Sequence, residues 1–151
     1  MPIWELGGEI LAVMRYNGLK QDLNTFAKLV YIYETQIKFL YKEKMFVEKY
    51  SKAYSVYKQK IRSNLKYATR EGIKHLDDKI ITSKLYFTRK RVLILDLLRH
   101  IRNSFSHGLL IKDSKNLKIS DKYRQFKTSK GSLEYSTIKE FIVEIIKQYE
   151  D

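Results

Sequence analysis

Residues 92–110 read VLILDLLRHIRNSFSHGLL, and this stretch decides the fold class that the sequence predicts. Apolar residues recur in and just before it, mostly at intervals of three or four, as on one buried helical face. They are Leu85, Val92, Ile94, Leu95, Leu98, Ile101 and Phe105. Gly108 follows, and glycine often ends a helix because it adopts a left-handed conformation without a steric penalty. The pattern predicts a long helix that opens at Thr82 or Ser83 and ends near Ser106.

Similar apolar stripes on both sides of this stretch predict further helices. The first covers residues 3–16, the second begins at Asp22 or Asn24, and the last follows a capping box formed by Thr137 and Glu140. Another stripe has the three-four spacing of paired helices. It consists of Val47, Tyr50, Tyr54, Tyr57 and Ile61.

The two stripes between residues 24 and 71 are not separated by glycine or proline. A single helix over that range would be about 70 Å long, which is too long for a compact domain of this size. We therefore expect a turn between residues 42 and 52, and a third helix that ends between residues 72 and 78. The tyrosine stripe then lines a core or a dimer seam in preference to stacking on nucleic-acid bases.

The fold class that follows is all-α. The chain has 151 residues, six glycines and one proline, Pro2, so it contains few residues that break helices. We predict a single domain over residues 1–151, built as an up-and-down helical bundle. One exception is residues 109–120, LLIKDSKNLKIS, where apolar residues flank a polar turn and predict a small β-hairpin. The polar residues 121–133 are expected to form a loop.

Charge and composition narrow the functional classes. Thirty Lys and Arg against 17 Asp and Glu give a formal net charge of +13. A basic globular domain typically binds a polyanion, most often nucleic acid, although a solvated lysine surface gives the same composition. Cysteine is absent, which excludes disulfides, thiolate metal sites and a cysteine nucleophile. We see no signal peptide and no apolar run of about 20 residues, so we expect a cytoplasmic protein without membrane contact.

The end of the long helix carries side chains suited to phosphodiester chemistry. Arg99, Asn103 and His107 are spaced four residues apart and share a helical face, and Arg102 lies at its edge. Arginine binds phosphate with paired hydrogen bonds, histidine transfers protons near neutral pH, and asparagine orients either the imidazole or a substrate oxygen. Together they could cleave RNA without a metal ion, by attack of the 2′-hydroxyl on the neighbouring phosphorus.

Two geometric conditions limit this interpretation. Arg102 and His107 lie about 140° apart around an ideal helix, so one site includes both only if the helix loosens after Ser104 or two chains meet there. Cleavage also needs both a base and an acid, so one histidine per chain requires either a second histidine or the copy from a homodimer partner, with this helix at the interface. The alternative is a plain helix C-terminus, where the dipole favours basic residues and glycine is a common stop.

Residues 102–107, RNSFSH, with Gly108 after them, resemble the motif of the HEPN superfamily. The resemblance implies a small helical bundle, often homodimeric, with metal-independent ribonuclease activity, in toxin–antitoxin pairs, abortive infection or CRISPR effectors. It implies that Arg102 and His107 are the catalytic pair and that Asn103 supports them. Some relatives carry a tyrosine two residues after the histidine, where the toxin is silenced by modification. That position is Leu109 here, so the resemblance does not extend to this control.

Further residues are candidates for RNA contact, and none is a candidate for a cofactor. Arg89 and Arg91 could form a phosphate track before the motif, or belong to a solvated helix face. Arg99 and Ser106 flank the catalytic candidates. A metal ion is not expected, because His100 and His107 would lie about 10 Å apart along a helix.

Our prediction is a metal-independent endoribonuclease that acts as a toxin or an anti-phage defence effector, with an antitoxin or defence partner. Two alternatives remain open at this point. The chain could be a catalytically silent adapter that binds nucleic acid or protein, or a structural helical protein whose charge serves solubility alone.

Overall fold

A computed structural model describes residues 18–77 and 83–151 of the chain. The helix predicted for residues 3–16 lies outside these described residues. The described helices, which we number in chain order, are α1 (Leu23–Thr35), α2 (Glu43–Lys49), α3 (Ser51–Val56), α4 (Arg70–Lys74), α5 (Leu93–Ser106) and α6 (Tyr135–Glu150). The strands are β1 (Leu65–Tyr67), β2 (Leu85–Phe87), β3 (Ile111–Asp113), β4 (Asn116–Tyr123) and β5 (Phe126–Glu134).

The prediction of an all-α helical bundle is wrong. The five strands form one mixed sheet in the order β1-β2-β5-β4-β3. Strands β1 and β2 are parallel, and the other neighbours are antiparallel. The predicted hairpin after α5 is present as β3 and β4, with Ile111 opposite Lys118, but it is the edge of this larger sheet.

Two short strands interrupt segments that we predicted to be helical. The third predicted helix, expected to reach residues 72–78, gives way to strand β1 at Leu65. The motif helix, predicted to open at Thr82 or Ser83, begins only at Leu93, because residues 85–87 form β2. Leu85 and Phe87 are buried and pair with both neighbouring strands. Pairing within the sheet therefore overrides the helical spacing of these apolar residues.

The segment 121–133, predicted to be a loop, instead contains most of strand β5. Strand β4 turns Leu117, Ile119 and Asp121 towards the core, and the residues between them face the opposite side. The opposite side is polar, so the sequence lacks the continuous apolar run of a fully buried strand. Gly131 of β5 has a φ of +143°, and an added Cβ atom there would lie 2.1 Å from the carbonyl oxygen of Lys84. Only glycine lets strand β2 approach so closely.

The helical half of the chain turns twice where a single turn was predicted. α1 buries Phe26, Leu29 and Val30 and ends at Thr35, and the chain becomes extended at Leu40. A second break falls at Tyr50, between α2 and α3 and inside the range predicted for a turn. After α3 the chain continues through a π-helical turn and a 3₁₀ turn to Asn64.

Helices α1, α5 and α6 form the core with one face of the sheet. α5 packs across β4, and α1 packs against both α5 and α6. α6 begins at Tyr135, two residues before the predicted capping box, and Glu134 accepts hydrogen bonds from the hydroxyls of Ser136 and Thr137. No helix in the described part of the chain has the length and apolar character needed to cross a bilayer.

Candidate active site

Helix α5 is enclosed by the protein around almost its whole circumference, although the sequence predicted a separate polar face. Asp96, His100 and Ser104 are fully buried, and they lie one above the other at intervals of four residues. No residue between 93 and 106 is classed as exposed. The buried polar residues need partners inside the fold, since an unpaired polar group there costs free energy.

The carboxylate of Asp121, on strand β4, is the main partner of this helix. Its side chain is buried beneath α5. Asn103 Nδ2 and Thr128 Oγ1 donate to Oδ2 over 3.2 Å and 3.3 Å, and the Lys122 backbone N–H donates to Oδ1 over 2.8 Å. His100 Nδ1 also lies 3.3 Å from Oδ2. One carboxylate thus connects α5 with both long strands.

A β-bulge supplies two of the groups around Asp121. Asp121 pairs with Ser129 and Lys122 pairs with Lys127, so Thr128 is the extra residue on β5. Both hydroxyl side chains consequently lie beside the aspartate: Ser129 Oγ accepts from the Asp121 backbone N–H over 2.7 Å, and Thr128 donates to the carboxylate. Bulges often redirect side chains near functional sites.

These donors control the charge of Asp121. Burial raises the pKa of a carboxyl group, because it disfavours the charged form. The adjacent His100 imidazole and the hydrogen bond from Asn103 oppose that effect, and the pKa of Asp121 ends below its ordinary value of 3.8. The site therefore holds a buried negative charge at neutral pH.

His107 brings an exposed imidazole to this buried charge. The side chain is 54 % exposed, and its Nδ1 lies 3.8 Å from Oδ1 of Asp121. The helix ends just before it, and Gly108 takes a positive φ of 70°. The Leu109 N–H donates to the Ser104 carbonyl, as in a Schellman motif. This helix ending places His107 beside the carboxylate of Asp121.

Arg102 reaches the same group of residues through Asn103. Its Nη1 donates to Asn103 Oδ1 over 2.8 Å, and Asn103 in turn donates to Asp121. Its Nη2 lies 2.6 Å from Oε1 of Glu34 on α1. A continuous series of contacts therefore connects Arg102, Asn103, Asp121 and His107 within one copy of the chain. We call these four residues the Asp121 site.

The other predicted RNA-contact residues have different positions. Arg99 faces the interior, where its Nη2 donates to the Thr88 carbonyl over 3.4 Å and lies 3.6 Å from Oδ1 of Asp96. Ser106 has a buried hydroxyl oxygen that makes no hydrogen bond with any residue that the structure describes. These two side chains are not placed to meet an RNA strand at the surface.

Arg89 and Arg91 also differ from a simple phosphate track. Arg91 donates through Nη1 to the carbonyls of Lys38 and Leu40 over 2.9 Å and 2.6 Å, and through Nη2 to the Tyr33 hydroxyl. It holds the chain where it leaves α1. Arg89 is exposed and lies over the ring of Tyr67 at 5.5 Å, so it alone of the pair remains open to a ligand.

The sequence predictions missed Asp121 and Glu34. Asp121 sits in a polar segment that gives no sign of burial, and Glu34 looks like one of many charged residues on a helix surface. The alternation Leu117, Ile119, Asp121 was the only available signal, since it places the aspartate on the core face of a strand.

No protein-family model, curated protein sequence or solved structure matches this chain. The resemblance to the HEPN superfamily accordingly remains confined to residues 102–107. Within the described residues, no group of three or more His, Cys, Asp and Glu side chains is arranged to hold a metal ion.

Proposed function

We propose that this chain cleaves RNA without a metal ion, with His107 as the proton-transfer group and Arg102 as the phosphate ligand. The observation that carries the proposal is the series of contacts within the Asp121 site. It joins a guanidinium to an exposed imidazole through an amide and a buried carboxylate. The net charge of +13 supports a polyanionic substrate.

The chemistry follows from the arrangement of these groups. Asp121, beside Nδ1, favours a proton on that nitrogen, which leaves Nε2 of His107 as the base. Nε2 takes the proton of the 2′-hydroxyl, the 2′-oxygen forms a bond to phosphorus, and the bond from phosphorus to the 5′-oxygen breaks. Arg102 stabilises the added negative charge, and each of its Nη atoms carries a second N–H for the phosphate. The products are a 2′,3′-cyclic phosphate and a 5′-hydroxyl.

The leaving 5′-oxygen needs a proton, and we propose that His107 of a second copy supplies it. His100 is fully buried, and His75, directly after α4, is paired with Glu71, so the proposal assigns this role to neither. Because α5 has no exposed residue, a homodimer would meet at the carboxyl end of that helix, at His107 and the residues beyond it.

The proposed setting is the cytoplasm, as a toxin or an anti-phage defence effector with an antitoxin or defence partner. Expression of the wild-type chain should then slow host growth, whereas His107→Ala and Arg102→Ala should relieve the effect. Equal growth of all three strains would argue against a toxic activity.

The direct test of the reaction is the product that the purified protein forms from RNA. Cleavage should continue in EDTA and leave a 2′,3′-cyclic phosphate, which mass spectrometry of the fragments detects. Cleavage that EDTA abolishes, or products with a 3′-hydroxyl, would contradict the proposal.

A second function, RNA binding without cleavage, is favoured by one contact. The carboxylate of Glu34 lies 2.6 Å from Nη2 of Arg102 and competes with a phosphate for the charge of that guanidinium. Glu34→Gln should therefore raise cleavage severalfold if the site is catalytic, and Glu140→Gln is the control, since it removes a surface ion pair with Lys60. A Glu34→Gln variant that binds RNA more tightly but still forms no product would favour the adapter.

A further inference from the structure

The face of the sheet turned away from α5 carries a concentration of basic side chains. On β4 and β5 the alternation of both strands and their pairing place eight residues on this face: Asn116, Lys118, Ser120, Lys122, Lys127, Lys130, Ser132 and Glu134. We call it the outer sheet face. None of its residues belongs to the Asp121 site, and none was singled out by the sequence.

Two grooves on this face join into one trough. The first has a volume of about 290 Å³ and is lined by Lys118, Lys127 and Lys130 among others. The second, of about 480 Å³, lies between α4 and β5 and adds Arg70, Lys74 and Phe126 to its lining, together with Glu71, whose carboxylate pairs with His75. Lys127 and Lys130 line both grooves, so the trough runs across β5 without interruption.

The positive charge of the trough is only partly neutralised. Lys118 lies 3.1 Å from Asp113, and Lys130 donates to the Leu76 carbonyl. By contrast, Lys122 and Lys127 form no ion pair with the described acidic residues, although they stand directly opposite each other on neighbouring strands. Like charges in that position destabilise a sheet. A bound polyanion would remove this repulsion.

Two aromatic rings lie at the hairpin end of the same strands, and one of them, Phe126, lines the second groove. Tyr123 and Phe126 pair with each other and are 55 % and 45 % exposed. The guanidinium of Arg70 lies 5.5 Å and 5.4 Å from their ring centres, so a cation is held between two rings at the rim of the second groove. Basic grooves with exposed aromatic side chains are the usual means of binding single-stranded nucleic acid.

We propose that the outer sheet face binds the backbone of a single RNA strand, with Phe126 offering a surface for base stacking. Alternate residues on a strand are about 6.7 Å apart, which spaces Lys118, Ser120 and Lys122 like successive phosphates of an extended chain. Asp121 and Lys122 are consecutive on β4 and point to opposite faces, so the Asp121 site and the outer sheet face lie on the two sides of one strand. RNA binding by this face does not depend on the nuclease activity proposed above. Only the identification of the bound strand as the substrate of cleavage rests on that proposed function.

The test is binding of a fluorescent oligouridine RNA of about 12 nucleotides, a length that small single-strand binding domains accommodate. The measurement uses the full chain with His107→Ala, so that cleavage does not enter. Fluorescence anisotropy at several salt concentrations gives the dissociation constant and its salt dependence. We compare the double variant Lys122→Glu/Lys127→Glu with the double variant Lys52→Glu/Lys58→Glu, which changes one exposed lysine on α3 and one in the π-helical turn after it.

The double variant on the sheet should weaken binding on the order of tenfold and reduce the salt slope by about 1.4, or 0.7 for each lost phosphate contact. The control pair makes the same change in net charge and should leave the slope nearly unaltered. Phe126→Ala should weaken binding roughly fivefold, whereas Phe39→Ala, at another exposed ring, should not.

Three results would overturn the proposal. Equal weakening by both double variants would mean that net charge alone attracts the RNA. Equally tight binding of poly-L-glutamate, with no effect of Phe126→Ala, would identify a surface for an acidic protein. If the His107→Ala protein binds no RNA, the outer sheet face is not an RNA-binding surface. If RNA binds this face and the wild-type protein does not cleave it, only the proposed nuclease activity is refuted.

Discussion

Replacement of Asp121 by asparagine changes one charge and one donor in the centre of the fold. Oδ2 of the carboxylate accepts from Asn103 and Thr128 and lies 3.3 Å from His100 Nδ1, while Oδ1 accepts from the Lys122 N–H. An asparagine amide must put its NH2 group at one of these two positions. At either position at least one buried donor then faces another donor.

The size of the effect follows from those contacts. A buried donor left without its acceptor costs about 1–3 kcal/mol, and hydrogen bonds to a charged group contribute more than neutral ones. We therefore expect Asp121→Asn to lower the free energy of unfolding by about 2–4 kcal/mol at neutral pH. The matched control is Asp113→Asn, which makes the same chemical change in an exposed ion pair with Lys118 and should cost about 0.5 kcal/mol or less.

The pH dependence of this loss has a defined sign. The pKa of Asp121 is lower in the folded protein than its ordinary value of 3.8, so the charged form stabilises the fold. That contribution is complete above the ordinary value and is lost as the pH falls through the lower pKa of the folded state. The gap between wild type and Asp121→Asn should therefore shrink in acid.

Urea unfolding of both proteins, followed by circular dichroism from acid to neutral pH, measures this gap. An Asp121→Asn protein as stable as the Asp113→Asn control at neutral pH would refute the assignment of Asp121 as the buried centre. A gap that stayed constant below the ordinary pKa would refute its ionisation.

Two further predictions test how the strands and the turn after α1 are held. Gly131→Ala should lower the stability in thermal unfolding by about 3 kcal/mol or more, because the new Cβ would collide with the Lys84 carbonyl. In the control Gly72→Ala the nearest atom to the new Cβ is 3.3 Å away, so the stability should change by less than about 1 kcal/mol. Similar melting temperatures for both variants would contradict the close approach of β2 and β5. Arg91→Met should lower the free energy of unfolding in urea by about 2–4 kcal/mol, because the carbonyls of Lys38 and Leu40, in the turn after α1, lose their donor. The control Arg89→Met should cost about 1 kcal/mol or less. A larger loss for Arg89→Met than for Arg91→Met would mean that Arg91 does not hold this turn.

Local sequence signals predicted the features that depend on local structure. Gly108 marks the end of α5, which falls at Ser106 as expected, and the polar turn after Ile111 closes a hairpin. The buried stripe of α1 follows the helical period through Phe26, Leu29 and Val30. Each of these features depends on residues that are near neighbours in the chain.

Features that depend on pairing between distant segments were not predicted. Strands β1 and β2 are three residues each, too short for an alternating pattern to separate them from a helix. Their strand conformation is set by partners about 20 and 46 residues away, since Leu85 pairs with both Leu65 and Gly131. The all-α prediction failed for this reason.

The residues of the candidate site also differ in whether local sequence or distant pairing positions them. Arg102, Asn103 and His107 could be selected from the sequence because their chemistry is visible in a short motif. Asp121 could not, because its burial depends on the register of β4 and on the bulge at Thr128. The burial of Arg99 likewise follows from the packing of α5, which encloses a helix face that the sequence alone left open.

The central claim is that His107, beside Asp121, transfers the proton that drives RNA cleavage. The most direct measurement is the single-turnover cleavage rate of one RNA by wild type, His107→Ala and His75→Ala, each checked for equal thermal stability. His75 is the matched control, an exposed histidine also paired with a carboxylate. We expect His107→Ala to lower the rate by about 10²–10⁴-fold and His75→Ala to leave it unchanged. Equal rates for His107→Ala and wild type, or no cleavage by the wild type, would contradict the claim.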